Sequence, residues 1–178
     1  MAVPKHHLIS PVTPGVSPDG SRSIDAFPAN RVVIGWREWI SLPLLGISRL
    51  DAKIDTGARS SSLDVHSIQE FRKQKQCWVR FRVLEDIDLS MSGRFVEARL
   101  IEYRNVRASS GHVARRPVII TELALGSHSW PVELTLSNRR NMGYRMLVGR
   151  MAIETRFLVD ASQSHLLGNQ LNCPLTPL

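Results

Sequence analysis

Cysteine is nearly missing from this chain: Cys77 and Cys173 are the only two in 178 residues. One sits in an apolar, strand-like run and the other near the C-terminal end. That excludes a disulfide framework and any cysteine-based zinc spacing. Long apolar runs are missing too, and nothing approaches the ~20 residues that span a bilayer. The segment Met1-Ala2-Val3-Pro4-Lys5-His6-His7 has no apolar stretch and no cleavage pattern for export. A cytoplasmic protein with no membrane partner is expected. Charge is missing from both ends. In residues 1–30, Lys5 and Arg22 cancel Asp19 and Asp25, and residues 161–178 carry no Asp, Glu, Lys or Arg. The whole net charge of +7 therefore lies between Arg31 and Asp160. A basic body of this kind suits an anionic partner, although +7 is also an ordinary charge for keeping a domain soluble.

What is present is one domain's worth of core, with 43% hydrophobic residues. Residues 1–30 hold five of the ten prolines and little hydrophobic periodicity, which marks a disordered or loosely attached arm. The domain is expected over 31–164, with 165–178 as a C-terminal tail. Within it the apolar pattern is mostly that of strands. Arg31 to Leu42 is an apolar run, Pro43-Leu44-Leu45-Gly46 is a turn, and Ile47 to Ile54 returns in alternation. Cys77 to Leu84 and Arg94 to Val106 alternate as well. Arg116 to Ala124 and His128 to Leu136 form a hairpin across Leu125-Gly126-Ser127.

The first hairpin delivers Asp55-Thr56-Gly57-Ala58. A carboxylate at the end of a strand is held rigidly while its oxygens stay reachable. Thr56 offers a hydroxyl to tie down the turn, and Gly57 lets an N–H approach the carboxylate without a Cβ in the way. That arrangement suits acid–base work on water, but Asp and Gly also favour any ordinary strand-to-turn junction. Ala58 through Leu63 reads as a polar turn. Met146-Leu147-Val148-Gly149-Arg150 is the second segment of note, a short apolar strand ending at Gly-Arg with a helix-compatible stretch after it.

The two segments, about ninety residues apart, together resemble the retropepsin-like aspartic proteases. Four further stretches sharpen the resemblance: Ile34-Gly35-Trp36-Arg37-Glu38, Ser109-Ser110-Gly111, Glu133-Leu134-Thr135-Leu136 with Asn138-Arg139, and Met142 through Arg150. They look like the family known as ATP-dependent zinc proteases, found beside or fused to RimK-type glutamate ligases. The resemblance spans about Arg31 to Ser164. It implies an all-β fold, a closed barrel of six or seven strands, with the apolar-Gly strand beneath the Asp55 turn and one short helix after Gly149. It also implies that Asp55, Thr56 and Gly57 are catalytic and that Ala58, Arg59, Ser109, Ser110, Gly111 and Arg150 contact substrate.

The family's name does not match its residues here. No Gly-x-x-x-x-Gly-Lys-Ser/Thr loop exists for a nucleotide. His66, His112, His128 and His165 never pair at i, i+4, so no zinc-peptidase motif exists. No metal and no cofactor is expected. Aspartic peptidases need two carboxylates sharing one proton, and this chain has one Asp-Thr-Gly, so the active form implied is a homodimer. Retropepsins carry an acidic residue four positions after the catalytic Asp. Here that position is Arg59, so Arg150 needs another partner, with Glu133, Glu154 and Asp160 as candidates. The covering flap is expected between Asp86 and Gly111. Arg139, Arg140, Arg145 and Arg150 suit an acidic peptide, and the link to glutamate ligases implies a glutamate-rich one, with a RimK-type ligase as partner. Trp36 and Trp39 read as core or interface anchors, and nucleic acid is not expected. The competing reading is a non-catalytic basic module that holds acidic tails or RNA.

Overall fold

The computed structural model describes residues 31–83, 94–107, 111, 113–137 and 143–167. These are mostly β-strand: β1 (Val32–Gly35), β2 (Arg37–Leu42), β3 (Ile47–Asp55), β4 (Ser61–Asp64), β5 (His66–Lys73), β6 (Gln76–Val83), β7 (Arg94–Arg99), β8 (Glu102–Arg107), β9 (Val113–Leu125), β10 (His128–Ser137), β11 (Met146–Gly149) and β12 (Phe157–Asp160). The α-helix among them is one turn long, α1 (Arg150–Ile153), directly after Gly149. β2 shows why the sequence takes this form. Glu38, Ile40 and Leu42 are buried while Arg37, Trp39 and Ser41 between them are half-buried, the two-residue period of a strand with one face in a core.

Seven strands form one sheet in the order β10-β4-β11-β3-β2-β9-β8. The β9–β10 hairpin also pairs along its length, from His128↔Leu125 to Thr135↔Val118. The order therefore returns to its first strand, and β8 attaches outside that ring of pairings. The β2–β9 junction is the narrowest, at Ser41↔Ala124. A second sheet is the antiparallel β5-β6-β7, and a third is the parallel pair β1-β12. All three contribute to one core, in which Ile34, Leu50, Leu63, Phe81, Ile119 and Leu134 are fully buried.

Three features depart from the sequence expectation. The polar turn ends at Ser60, because Ser61–Asp64 is a buried strand between β10 and β11. Its hydroxyls are satisfied internally: Ser62 Oγ lies 3.0 Å from Ser137 Oγ, and Ser61 Oγ accepts from the Gly149 N–H at 3.1 Å. Buried polar side chains with partners behave as core. The run from Arg94 to Val106 breaks at Leu100–Ile101, which sends β7 into the three-stranded sheet and β8 into the seven-stranded one. The strand β5, with no alternation to announce it, is the third.

Candidate active site

Asp55 is the last residue of β3. β11 runs parallel to it in register, Val148↔Ile54 and Gly149↔Asp55, and pairs on its other side with β4 at Met146↔Leu63 and Leu147↔Ser62. The strand that ends in Gly149 thus bridges both ends of the loop 56–60, and the expected support beneath the Asp55 turn is there. A Cβ on Gly149 would lie 2.5 Å from the Ser60 carbonyl carbon and 2.9 Å from the Ser61 nitrogen. Both are backbone atoms, so only glycine lets the support strand come this close. The chain continues into α1, whose first N–H groups close onto the same loop. Arg150 N donates to Ala58 O at 2.8 Å, and Met151 N donates to Arg59 O at 3.1 Å.

The carboxylate is half-buried. Its Oδ1 accepts N–H bonds from Gly57 and Ala58, each 3.2 Å. Oδ2 takes none among the described residues. A Cβ on Gly57 would sit 3.4 Å from Oδ1, an ordinary contact. The glycine's freedom is therefore not what brings that N–H to the carboxylate. Thr56 is exposed, and its carbonyl is the group that is held, accepting from the Arg150 guanidinium at 3.4 Å.

That bond also answers the question of Arg150's partner in part. Glu133 is taken by Arg104 at 2.8 Å, and the Asp160 carboxylate accepts from Ser162 N and Oγ. Arg150 braces a backbone oxygen of the Asp55 turn. Arg59 is exposed, with its guanidinium in no ion pair among the described residues, and neither it nor Lys53 pairs with Asp55. Arg145 is committed elsewhere, 3.7 Å from the buried Asp64. Ser109, Ser110, His112, Arg139 and Arg140 lie outside the described residues. Gly111 is exposed in the connection between β8 and β9. The described part of the region expected to be a flap is two pieces, β7 and β8, on different sheets; residues 86–93 and 108–110 of it lie outside the described residues.

Sequence reading missed a cavity of ≈ 190 Å³ at the end of this loop, lined by Ser60, Ser61, Trp130, Glu133, Met151 and Arg156 among others. Arg156 stands 5.6 Å from the Trp130 ring centroid and has no carboxylate partner among the described residues. No signal in the chain could have joined residues so far apart. For a metal, the donors do not fit: among the described residues no three His, Cys, Asp or Glu side chains come together. No helix among them is long and apolar enough to cross a membrane.

Known proteins place the site in context. The chain is similar to a protein named "Probable alpha-L-glutamate ligase" from Shewanella halifaxensis (strain HAW-EB4), 40% identical over 79% of this chain and 31% of that protein. One of the same name from Parasynechococcus marenigrum (strain WH8102) is 44% identical over 83% of this chain and 33% of the relative. The chain thus spans about a third of the length of these relatives. The crystal structure of a protein of unknown function (DUF785) from Legionella pneumophila matches with TM-score 0.65 and 26% identity, covering 78% of this chain and 99% of that one. The family described as "RimB-like: Retropepsin-like aspartic endopeptidase RimB" matches residues 33–170, and the chain belongs to it.

Proposed function

We propose that this protein is an aspartic-type peptidase, active as a homodimer with one Asp55 per subunit, that cleaves acidic or glutamate-rich peptides. The observation that carries the reading is the state of Asp55: anchored through Oδ1, supported from below by β11, and open at Oδ2. The ring of strand pairings supports the closed barrel of that reading.

Two Asp55 carboxylates facing each other cannot both ionise, so one holds a proton. The ionised one takes a proton from water as the water oxygen attacks the scissile carbonyl carbon. The protonated one gives its proton to the carbonyl oxygen, forming a neutral tetrahedral diol. Collapse of that diol breaks the C–N bond as a carboxyl group donates a proton to the leaving nitrogen and the other takes one back. The β1–β12 pair supports the dimer. Val33 and Leu158 stand opposite each other and are both 44% exposed, and each strand has an unpaired edge among the described residues. A two-fold partner would cover that apolar pair. Trp36 connects the pair to the site, since its carbonyl accepts from Ile54 N at 2.8 Å, one residue before Asp55.

Substrate preference rests on Arg59 and on Arg156 in the cavity, cations without carboxylate partners beside the catalytic loop. The relatives named as glutamate ligases, three times as long, support work beside a RimK-type ligase. The test is a glutamate-rich and a neutral peptide offered to wild type, Asp55→Asn, Arg59→Ala and Arg156→Ala at low and high salt. The expected result is no cleavage by Asp55→Asn, and for both Arg variants a raised KM for the acidic peptide that added salt imitates. Undiminished cleavage by Asp55→Asn contradicts the catalytic assignment. Salt-insensitive cleavage without acidic preference contradicts the substrate.

A further inference from the structure

The chain's positive charge is concentrated away from the Asp55 loop. Residues 66–83 and 94–99, the strands of the three-stranded sheet with the β5–β6 turn, hold seven Lys and Arg against Glu70 and Glu97. That surplus of five is most of the chain's +7. One face of the sheet is in the core, through Val79, Phe81, Val83, Val96 and Ala98. The register then determines the other face. Phe71, Trp78 and Arg99 share one row across the three strands, Arg80 stands opposite Glu97 in the next, and Arg82 opposite Phe95 in the one after.

Aromatic rings and cations alternate on this outer face. Phe71 and Trp78 have ring centroids 6.5 Å apart, and Phe95 is 48% exposed. Each ring has a cation beside it: Lys73 Nζ is 5.0 Å from the Trp78 centroid, the Arg80 guanidinium 5.7 Å from Phe71, and that of Arg82 4.7 Å from Phe95. Glu97 sits between Arg80 and Lys73, at 2.7 and 3.5 Å, while Arg82 and Arg99 have no carboxylate bridge there among the described residues. By contrast, Trp36 and Trp39 are occupied, edge-on to Tyr144 and stacked on His165. Both are half-buried, outside the buried core, with their rings already against partners in this chain.

We infer that the outer face of β5-β6-β7 binds single-stranded nucleic acid, with phosphates on the arginines and bases on Phe71, Trp78 and Phe95. A positively charged surface that tracks a backbone, interleaved with rings for unstacked bases, is the general design of such sites. An acidic peptide would satisfy the cations and leave three aromatic rings without a use. An anionic bilayer would need a broader apolar face than Phe95 provides. This proposal departs from the expectation that nucleic acid is no partner. It does not depend on the peptidase reading, because no residue of the face belongs to the Asp55 loop.

The test is fluorescence anisotropy with a labelled, unstructured single-stranded RNA of about twelve nucleotides. A glutamate peptide of similar charge and anionic lipid vesicles serve as competitors, and circular dichroism checks each variant's fold. Wild type should bind the RNA, with affinity falling as salt rises. Phe95→Leu and Trp78→Leu keep apolar bulk but remove the ring, and each should weaken binding about fivefold or more. Arg82→Gln and Arg99→Gln should weaken it and flatten the salt dependence, and Asp55→Asn should bind like wild type. Equal competition by the peptide or vesicles, indifference to ring removal in folded variants, or no RNA binding at low salt would each overturn the proposal.

Discussion

Glu38 and Asp55 lie on adjacent strands, β2 and β3, and the fold treats the two carboxylates in opposite ways. Glu38 is fully buried, and both oxygens are occupied: Oε1 accepts from Gly35 N at 2.7 Å and Leu166 N at 2.9 Å, Oε2 from Leu167 N at 3.3 Å. Asp55 is half-buried and receives both of its bonds, each 3.2 Å, on one oxygen. A carboxylate removed from water must be saturated with donors, and once saturated it has nothing left for a substrate. Glu38 is therefore a clamp that fastens β1 and the segment after β12 onto β2. Asp55 leaves one oxygen without a hydrogen bond among the described residues.

The largest effect that sharpens this contrast is on rate. Asp55→Asn should lower peptide turnover by about three orders of magnitude or more, while its unfolding midpoint stays near wild type. Glu38→Gln should do the reverse. The amide cannot accept on both sides, so at least one buried N–H loses its partner, and urea unfolding should show a loss of about 3 kcal/mol. A Glu38→Gln protein as stable as wild type would remove the clamp from the account. Gly149→Ala tests the support beneath Asp55. Its Cβ would meet rigid backbone, so a loss of about 2 kcal/mol is expected, together with a fall in turnover measured well below the unfolding transition. Full activity there would mean that the loop tolerates displacement.

The clamp was not legible in the sequence, and the reasons are physical. Residues 161–167 carry no Asp, Glu, Lys or Arg and little periodicity, and the short apolar patch Leu166-Leu167 does not announce that its backbone is bound. His165, Leu166 and Leu167 are held through their own backbone N–H groups, which every sequence has. Ser61 and Ser62 misled in the same way, since hydroxyls bonded to Gly149 N and Ser137 Oγ no longer count as polar surface. What was legible had a period or a resemblance behind it. The hairpin β2–β3 follows from alternation and Pro43, whereas the passage of the Gly149 strand under the Asp55 turn came from the resemblance to the retropepsin-like proteases. Arg150's true contact, the Thr56 carbonyl, was hidden because sequence suggests partners of opposite charge before it suggests carbonyls.

The smallest expected effect concerns Asp51, next to the clamp. Burial works against its charge, but hydrogen bonds and charge from Arg37 and His165 outweigh that and hold its pKa below the usual carboxylate value. A depressed pKa means that the folded state binds the proton less readily than the unfolded one. The contribution is therefore complete above an unfolded pKa of about 3.9 and is lost as pH falls through the lower folded value. The stability difference between wild type and Asp51→Asn should shrink below about pH 4. A difference that stays constant into that range would contradict the assignment.

The central claim is that one reaction needs two copies of Asp55. Wild type and Asp55→Asn protein are mixed in varied proportion at constant total concentration, allowed to exchange subunits, and assayed on a glutamate-rich peptide. If the catalytic carboxylates come from facing subunits, only wild-type pairs cleave, and activity should follow the square of the wild-type fraction. Activity that falls in direct proportion to that fraction would mean that each chain works alone, and the shared-proton mechanism would be wrong.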